Sequence, residues 1–278
     1  MNIFNFLIKK FYSINSRINL VKLIRKKNYN FTEIFNSNIF AKILRSQTQE
    51  NFYVKSKVLV LAPHPDDEVI GCGGSLEILN NKGSEIQIIY ITNGVPKKID
   101  NFEKETLIRK QEAVELNKKE NFLSPIFFDL ETRKVQYNSV TKANNLKLII
   151  KNFKPELIFV PFIIDRADDH VYTNKLLYEV LKDLFFTECK IFSYQVSNFI
   201  NLNCYINITD VFEKKIKMMQ CYKSVLHQTN YINLFKGLNL YNSFFVKKHN
   251  QDKEEFFEVF LKQSVRDYVQ ICEHFFDK

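Results

Sequence analysis

Four ionisable side chains follow one short apolar run in the first third of the chain. The run, Val58–Ala62, has the length of a single buried strand, and behind it come His64, Asp66, Asp67 and Glu68. Placing an imidazole and three carboxylates at the end of a buried strand costs free energy unless they bind something. His64 and Asp67 are three residues apart, close enough to bind one metal ion if the chain turns into a helix. This pattern predicts a metal site.

A second histidine lies in the same kind of position later in the chain. Leu157–Pro161 is a predicted strand, and His170 opens the helix that follows it. Two histidines and one carboxylate, here His64, Asp67 and His170, are a common ligand set for a catalytic zinc, with one position open for water. Asp66 lies beside these ligands and is free to act as general base. The alternative is helix capping, which explains one aspartate but not both together with the two histidines.

The elements that must position these residues alternate between strand and helix. The predicted strands are Val58–Ala62, Glu85–Thr92, Ile126–Phe128, Leu157–Pro161 and Ile191–Val196. The predicted helices are Val69–Asn81, Phe102–Lys119, Thr141–Phe153 and Val171–Phe185. Such alternation predicts an α/β fold with a mostly parallel sheet and helices on both faces. Polar loops follow the first, second and fourth strands, at the sheet edge where ligands bind in such folds.

The two ends of the chain do not show the regular alternation of strand and helix. We interpret residues 1–55 as a basic amphipathic extension and residues 56–278 as one domain. Residues 1–50 hold nine Lys and Arg against two Glu, which is most of the net charge of +9. A helix there either packs on the domain or makes peripheral contact with an anionic membrane or a partner. Beyond residue 201 we predict a helix at Val211–Leu226, with Asp210 as its N-cap, and a long C-terminal helix at Lys253–Phe276.

Composition narrows the class of protein. The five cysteines are odd in number and include no CxxC pair, which indicates a reducing compartment and argues against disulfides or a cysteine-based zinc site. The sequence shows neither a signal peptide nor a stretch as long as a transmembrane helix. Nothing resembles a nucleic-acid-binding module, so we expect no nucleic-acid partner. We therefore expect a cytoplasmic protein, and its oligomeric state stays open.

The acidic run itself resembles a known signature. Pro63–Glu68 (PHPDDE), entered by a strand and followed by the glycines of Gly71–Gly74, resembles the signature of the PIG-L/LmbE-like zinc-dependent de-N-acetylases. Further segments resemble that family's later motifs in the right order. They are Thr92-Asn93-Gly94, Arg109-x-x-Glu112, Asp168-Asp169-His170 and, more weakly, Lys217 with Tyr222-x-Ser224. The resemblance covers about residues 56–226.

The resemblance implies a Rossmann-like sheet and the removal of acetyl groups from N-acetylglucosamine-type sugars with the help of Zn2+. By that resemblance the site residues are the zinc ligands His64, Asp67 and His170, the general base Asp66, and the sugar-binding Asn93 and Arg109. An N-acetylated amino sugar or its nucleotide- or lipid-linked conjugate is then the expected substrate. A cytoplasmic enzyme with a basic extension suits bacterial surface-glycan biosynthesis at the inner face of the membrane.

One position departs from the family's pattern. The first His of its His-Pro-Asp-His motif, often assigned to oxyanion stabilisation or proton donation, aligns with Ala167. Arg166, Asp66 returning its own proton, or His227 from the late helix are the replacements we consider, and His227 is our prediction. The alternative function is a zinc-containing sugar-binding protein of the same fold without turnover. A nucleotide-binding protein with a phosphate loop at Gly71–Gly74 is disfavoured, because the spacing is not G-x-G-x-x-G and the preceding acids repel phosphate.

Overall fold

The computed structural model describes residues 48–135, 139–184, 188–196, 203–246 and 253–277. The basic helix expected around residues 18–27 lies outside the described residues. None of the helices in the described ranges combines the length and the apolar character needed to span a bilayer.

One mixed sheet of eight strands organises the described chain. Its strands are β1 (Thr48–Gln49), β2 (Lys57–Ala62), β3 (Glu85–Thr92), β4 (Ile126–Leu130), β5 (Leu157–Pro161), β6 (Lys190–Tyr194), β7 (Cys204–Asn207) and β8 (Phe257–Ser264). They lie in the order β1-β7-β8-β6-β5-β2-β3-β4. Within the described chain every pairing is parallel except those of β8, which runs antiparallel to β6 and β7. The predicted α/β class and the mostly parallel sheet are confirmed.

Eight α-helices in the described ranges cover both faces of this sheet. They are α1 (Asp67–Asn81), α2 (Phe102–Lys119), α3 (Ser139–Phe153), α4 (Asp168–Leu181), α5 (Phe212–Met219), α6 (Lys223–Leu226), α7 (Tyr231–Ser243) and α8 (Val265–Phe276). The core is two apolar clusters, one on each face of the sheet. Strand β2 contributes to both, since Leu59 and Leu61 belong to one cluster and Val58, Val60 and Ala62 to the other. Both faces of a central parallel strand are buried, which is why β2 is an unbroken apolar run.

The C-terminal part of the sequence prediction is wrong in one place. Residues 257–264 form strand β8 rather than the first half of a long helix, and helix α8 begins only at Val265. Phe256 and Phe260 bury against one face of the sheet and Phe257 and Leu261 against the other. A spacing of four residues fits a helical period as well as a strand period, so the pattern did not distinguish the two. Pairing with β6 and β7 decides in favour of the strand.

Two smaller differences concern the ends of elements. Asp210 lies inside a short 3-10 turn (Thr209–Val211) instead of capping a helix, and the predicted helix Val211–Leu226 is divided into α5 and α6. Thr48 and Gln49, which we placed in the N-terminal extension, pair with β7 as an edge strand of the sheet.

Candidate active site and metal centre

The polar loops meet at one edge of the sheet because β5, β2 and β3 are adjacent parallel strands. Their carboxyl ends point the same way, so the loops after them converge. The loop after β2 carries His64 and Asp66 into helix α1. The loop after β5 leads through Ala167 into helix α4, which holds His170 in its first turn. The convergence expected from the sequence is present.

The three predicted metal ligands face one another. Asp67 Oδ2 lies 3.0 Å from His64 Nδ1 and 3.3 Å from His170 Nε2. One ligand atom from each of the three residues lies within 4.8 Å of the others. Zinc bonds of about 2.0 Å in a tetrahedron separate neighbouring ligand atoms by about 3.3 Å, so the donor set and its spacing fit such an ion.

Burial and mutual charge shift the pKa values of these ligands. Burial alone would lower the pKa of His64, but the carboxylates of Asp67 and Asp169 outweigh it and raise that pKa to about 9. The pKa of His170 is raised well above its usual value by Asp67 and Asp165, again against the effect of burial. Burial would raise the pKa of Asp67, but the two histidines hold it below its usual range. The three groups therefore stabilise one another electrostatically.

Asp66 precedes the first turn of α1 in an unusual backbone conformation. Its φ is 127°, in a region that non-glycine residues rarely adopt. Its backbone N–H donates to the carboxylate of Glu68, which is itself fully buried. Burial, with the charge of Asp67 adding to it, raises the pKa of the Asp66 carboxyl well above the usual range. The predicted general base is therefore a buried, proton-binding carboxyl beside the ligand cluster.

The two predicted sugar-binding residues differ in their surroundings. Arg109, from α2, is 8% exposed, lines the cavity and donates from Nη1 to the Gly94 carbonyl at 3.0 Å. Its Nε has no hydrogen-bond partner among the described residues. Asn93 is buried, and its Oδ1 accepts the Val95 N–H at 2.9 Å, which holds the turn after β3. Arg109 therefore lines the cavity, whereas Asn93 holds the loop and is not among the residues that line the cavity.

A cavity of about 1340 Å³ opens above the ligand cluster. His64, Asp66, Asp67 and His170 line its floor, and the exposed His227 lines it from the turn that follows α6. The α6 segment is tied to α2, since Glu112 accepts hydrogen bonds from both the backbone N–H and the hydroxyl of Ser224.

Three residues of the site were assigned no role from the sequence. Asp169 lies 2.9 Å from His64 Nε2, and Asp165 lies 3.4 Å from His170 Nδ1. Tyr231 also lines the cavity, from the first residue of α7. The two aspartates lie in the polar segment that follows the predicted strand Leu157–Pro161, but only the fold shows which histidine each one contacts. Lys217, part of the weak late motif, is exposed and does not line the cavity.

The sequence and the fold both match known proteins. Residues 59–181 match the family model PIG-L: GlcNAc-PI de-N-acetylase. The N,N'-diacetylchitobiose deacetylase of Pyrococcus horikoshii is 20% identical, with 86% of this chain and 95% of that chain covered at a TM-score of 0.65. GalB, the 4-carboxy-2-hydroxymuconate hydratase of Pseudomonas putida KT2440, is 16% identical, with 75% and 96% covered at a TM-score of 0.60. A deacetylase triple mutant involved in the teicoplanin biosynthetic pathway is 14% identical, with 75% and 98% covered at a TM-score of 0.56. At these identities the structural matches establish the fold alone.

Proposed function

We propose that the chain is a zinc-dependent hydrolase that removes an N-acetyl group from an N-acetylglucosamine-type sugar or its conjugate, because residues 59–181 match the PIG-L family model. The observation that carries the proposal is the meeting of His64, Asp67 and His170 beside Asp66 on the floor of one cavity. The fold by itself does not select this reaction, because a hydratase shares it.

In the proposed mechanism the protein binds the sugar, orients the acetamide and moves one proton. His64, Asp67 and His170 would hold the ion, which when bound supplies Lewis acidity and lowers the pKa of a water molecule. Asp66 would take the proton from the attacking water; burial and the charge of Asp67 raise the pKa of its carboxyl, which favours proton binding. The water oxygen would bond to the amide carbonyl carbon, and the C–N bond would break as the nitrogen takes a proton, which releases acetate and the free amine.

Two further side chains would complete the reaction. Arg109 would hold the sugar through its guanidinium group, which lines the cavity. His227 is our proposal for the group that protonates the departing amine, since it lines the cavity and Ala167 has no side chain for that role. Asp66 returning its own proton is the alternative donor. Asn93 does not line the cavity, and its role as a substrate contact stays a prediction.

The substrate is expected to be larger than one sugar ring. The cavity exceeds the range of about 300–1,000 Å³ usual for small-molecule sites. Its size accommodates a disaccharide or a nucleotide- or lipid-linked amino sugar. The deacetylase of Pyrococcus horikoshii, named for a diacetylated disaccharide, supports this range. A place in bacterial surface-glycan biosynthesis, in the cytoplasm and with peripheral membrane contact through residues 1–50, is part of the same proposal.

A second function follows from one specific observation. Ala167 occupies the N-cap of α4 with extended backbone and contributes no hydrogen-bonding side chain to the site. A protein that keeps the metal ligands but lacks the proton donor would bind the acetylated sugar without turning it over. The alternative is therefore a zinc-containing sugar-binding protein of the same fold.

Acetate release from a panel of N-acetylated amino sugars and their conjugates tests the proposal. We expect the zinc-loaded protein to release acetate, and a chelator or Asp66→Asn to reduce the rate at least 100-fold. Asp100→Asn is the matched control, because Asp100 is an exposed aspartate on the rim of the same cavity. Loss of activity in that control, or activity that survives Asp66→Asn, contradicts the assigned roles.

The same assay separates the enzyme from the binding protein. If the wild type binds zinc and an acetylated sugar but releases no acetate, the enzyme proposal fails and the binding function stands. Activity that appears only in Ala167→His would show that the missing imidazole is the reason. In an active wild type, His227→Gln is expected to reduce the rate if His227 protonates the amine.

A further inference from the structure

Each of the two ligand histidines lies between two carboxylates, one at each ring nitrogen. For His64, Asp67 lies 3.0 Å from Nδ1 and Asp169 lies 2.9 Å from Nε2. For His170, Asp67 lies 3.3 Å from Nε2 and Asp165 lies 3.4 Å from Nδ1. Asp67 is therefore shared on the inner side, and a separate carboxylate faces each outer nitrogen.

We propose that Asp169 and Asp165 are positioning residues that select which ring nitrogen holds the metal, Nδ1 in His64 and Nε2 in His170. This inference rests on the metal site in the proposed function. A neutral imidazole has one N–H and one lone pair, so a carboxylate that accepts the N–H leaves the other nitrogen to bind the ion. Such an outer carboxylate also fixes the ring plane and raises the basicity of the ligating nitrogen.

Asp169 is held so that it can play this part before any ion binds. Both of its oxygens lie 2.9 Å from the backbone N–H of Arg133 and accept from it. Arg133 has a φ of 68°, the left-handed region that non-glycine residues enter at a cost, and this turns its N–H toward the carboxylate. The backbone carbonyl of Asp169 accepts from the Thr173 hydroxyl at 2.7 Å. The carboxylate is buried and held between the Arg133 N–H and the His64 ring, while the Thr173 hydroxyl fixes the backbone that carries it.

Asp165 is aimed at its histidine but less closely engaged. Its Oδ1 accepts the Ala167 N–H at 3.0 Å, which orients the carboxylate. Its Oδ2 faces His170 Nδ1 at 3.4 Å, and that nitrogen is buried without a hydrogen-bond partner among the described residues. A buried N–H without an acceptor costs free energy of folding, and Asp165 is the acceptor that faces this nitrogen. We therefore expect Asp165 to matter for the same reason as Asp169, with a smaller effect.

The affinity of the protein for Zn2+ tests the positioning role of Asp169 and Asp165 independently of catalytic activity. Competition with a chromophoric chelator is expected to show about 10–100-fold weaker Zn2+ binding for Asp169→Asn, and a smaller loss for Asp165→Asn. Asparagine keeps an acceptor for the backbone N–H groups and removes the charge. Asp100→Asn is the control and is expected to bind within twofold of the wild type. Affinities within twofold of the wild type for both folded variants would overturn the proposal.

The choice of nitrogen is measured on the wild-type protein, so it does not depend on any variant folding. Long-range proton–nitrogen spectra of the histidine-labelled, Zn2+-loaded protein are expected to show His64 bound through Nδ1 and His170 through Nε2. Either ring bound through its outer nitrogen would overturn the proposal. A wild type that binds no Zn2+ overturns both this proposal and the enzyme, whereas zinc binding with the expected nitrogens but no acetate release rejects the enzyme alone.

Discussion

The carboxylate of Glu68 accepts the backbone N–H of Asp66 at 3.1 Å. Its other oxygen accepts the Tyr222 hydroxyl at 2.5 Å and the Tyr90 hydroxyl at 3.1 Å, and the two phenols also contact each other. Glu68 and both tyrosines are buried. The strained backbone of Asp66 is thus tied to a cluster that joins α1, β3 and the segment before α6, and strain of this kind persists only where its surroundings enforce it.

Tyr222→Phe removes the shorter of the two hydroxyl contacts to Glu68. Because a buried charge-bearing acceptor then loses one donor, we expect the free energy of unfolding to fall by about 1–3 kcal/mol. We also expect a lower kcat, since Asp66 is held less firmly. Denaturant unfolding and acetate release measure the two effects. Tyr53→Phe is the matched control, because the Tyr53 side chain is 76% exposed; equal effects in both variants would contradict the role of the cluster.

Helix α1 approaches its neighbours so closely that it needs glycine. A Cβ at Gly74 would lie 2.7 Å from the Ile208 side chain, whereas a Cβ at Gly237 in α7 would meet nothing within 4 Å. We expect Gly74→Ala to destabilise the protein by about 1–3 kcal/mol through overpacking. Gly237→Ala is expected to stabilise it by up to about 1 kcal/mol, because alanine is the better helix former. Thermal unfolding of both variants is the measurement, and a stable Gly74→Ala variant would mean that the contact relaxes.

Lys215 and Glu258 form a fully buried ion pair at 2.7 Å against the same helix. The Lys215 ammonium also donates to the Ile70 carbonyl at 2.9 Å, and Glu258 accepts the N–H groups of Gly74 and Ser75 at 2.8 Å each. This pair braces the turns of α1 that follow Asp67, the proposed metal ligand.

Lys215→Met leaves the Glu258 charge buried without its partner, so we expect a loss of about 3–5 kcal/mol in the free energy of unfolding. The double variant Lys215→Met with Glu258→Gln is expected to recover part of that loss, because no unpaired charge remains. The exposed pair of Lys55 and Glu85, 3.8 Å apart, provides the control, and Lys55→Met is expected to cost less than 1 kcal/mol. Additive effects in the double variant would show that the two charges are not coupled.

The sequence predicted structure best where a segment is buried on both faces and where the interacting residues lie close together in the chain. Strands β3 and β5 have the predicted bounds, because central parallel strands are apolar on both faces and end abruptly at polar loops. The proximity of His64, Asp67 and His170 was predictable as well, since the first two lie close together after β2 and His170 follows β5, the strand beside β2. Their role as metal ligands stays a prediction.

The remaining features depend on contacts between distant parts of the chain. Asp169 contacts His64, which is 105 positions away in the sequence. Asp169 also accepts the Arg133 N–H, and the left-handed backbone of Arg133 is not predicted by any local sequence pattern. Strand β8 was mistaken for a helix because its apolar spacing fits both periods, and only its pairing with β6 and β7 identifies it as a strand. The brace at Glu258 was missed with it, since that residue lies in β8.

All five cysteines are buried and free, so their reactivity reports on the fold. Burial raises the pKa of Cys189 and of Cys204 to about 12. A raised thiol pKa means that the reactive thiolate is a very small fraction of each thiol between pH 7 and 9, so native labelling should stay slow over that range although the thiolate fraction rises about tenfold per pH unit. We expect no rapid reaction with a disulfide reagent in the native protein, and five reactive thiols after denaturation. One or more fast native thiols would contradict the packing around the sheet.

Metal removal is expected to lower stability as well as to stop catalysis. An ion that binds only the folded state stabilises it by about 2.7 kcal/mol when its concentration is 100 times the dissociation constant. We therefore expect a chelator to lower the Tm of the zinc-loaded protein by several degrees, and added Zn2+ to restore it. In His170→Ala the Tm should no longer respond to Zn2+, because one of three ligands within 4.8 Å of one another is gone. Asp100→Asn should respond like the wild type. A zinc-dependent Tm that survives in His170→Ala would place the ion elsewhere in the chain.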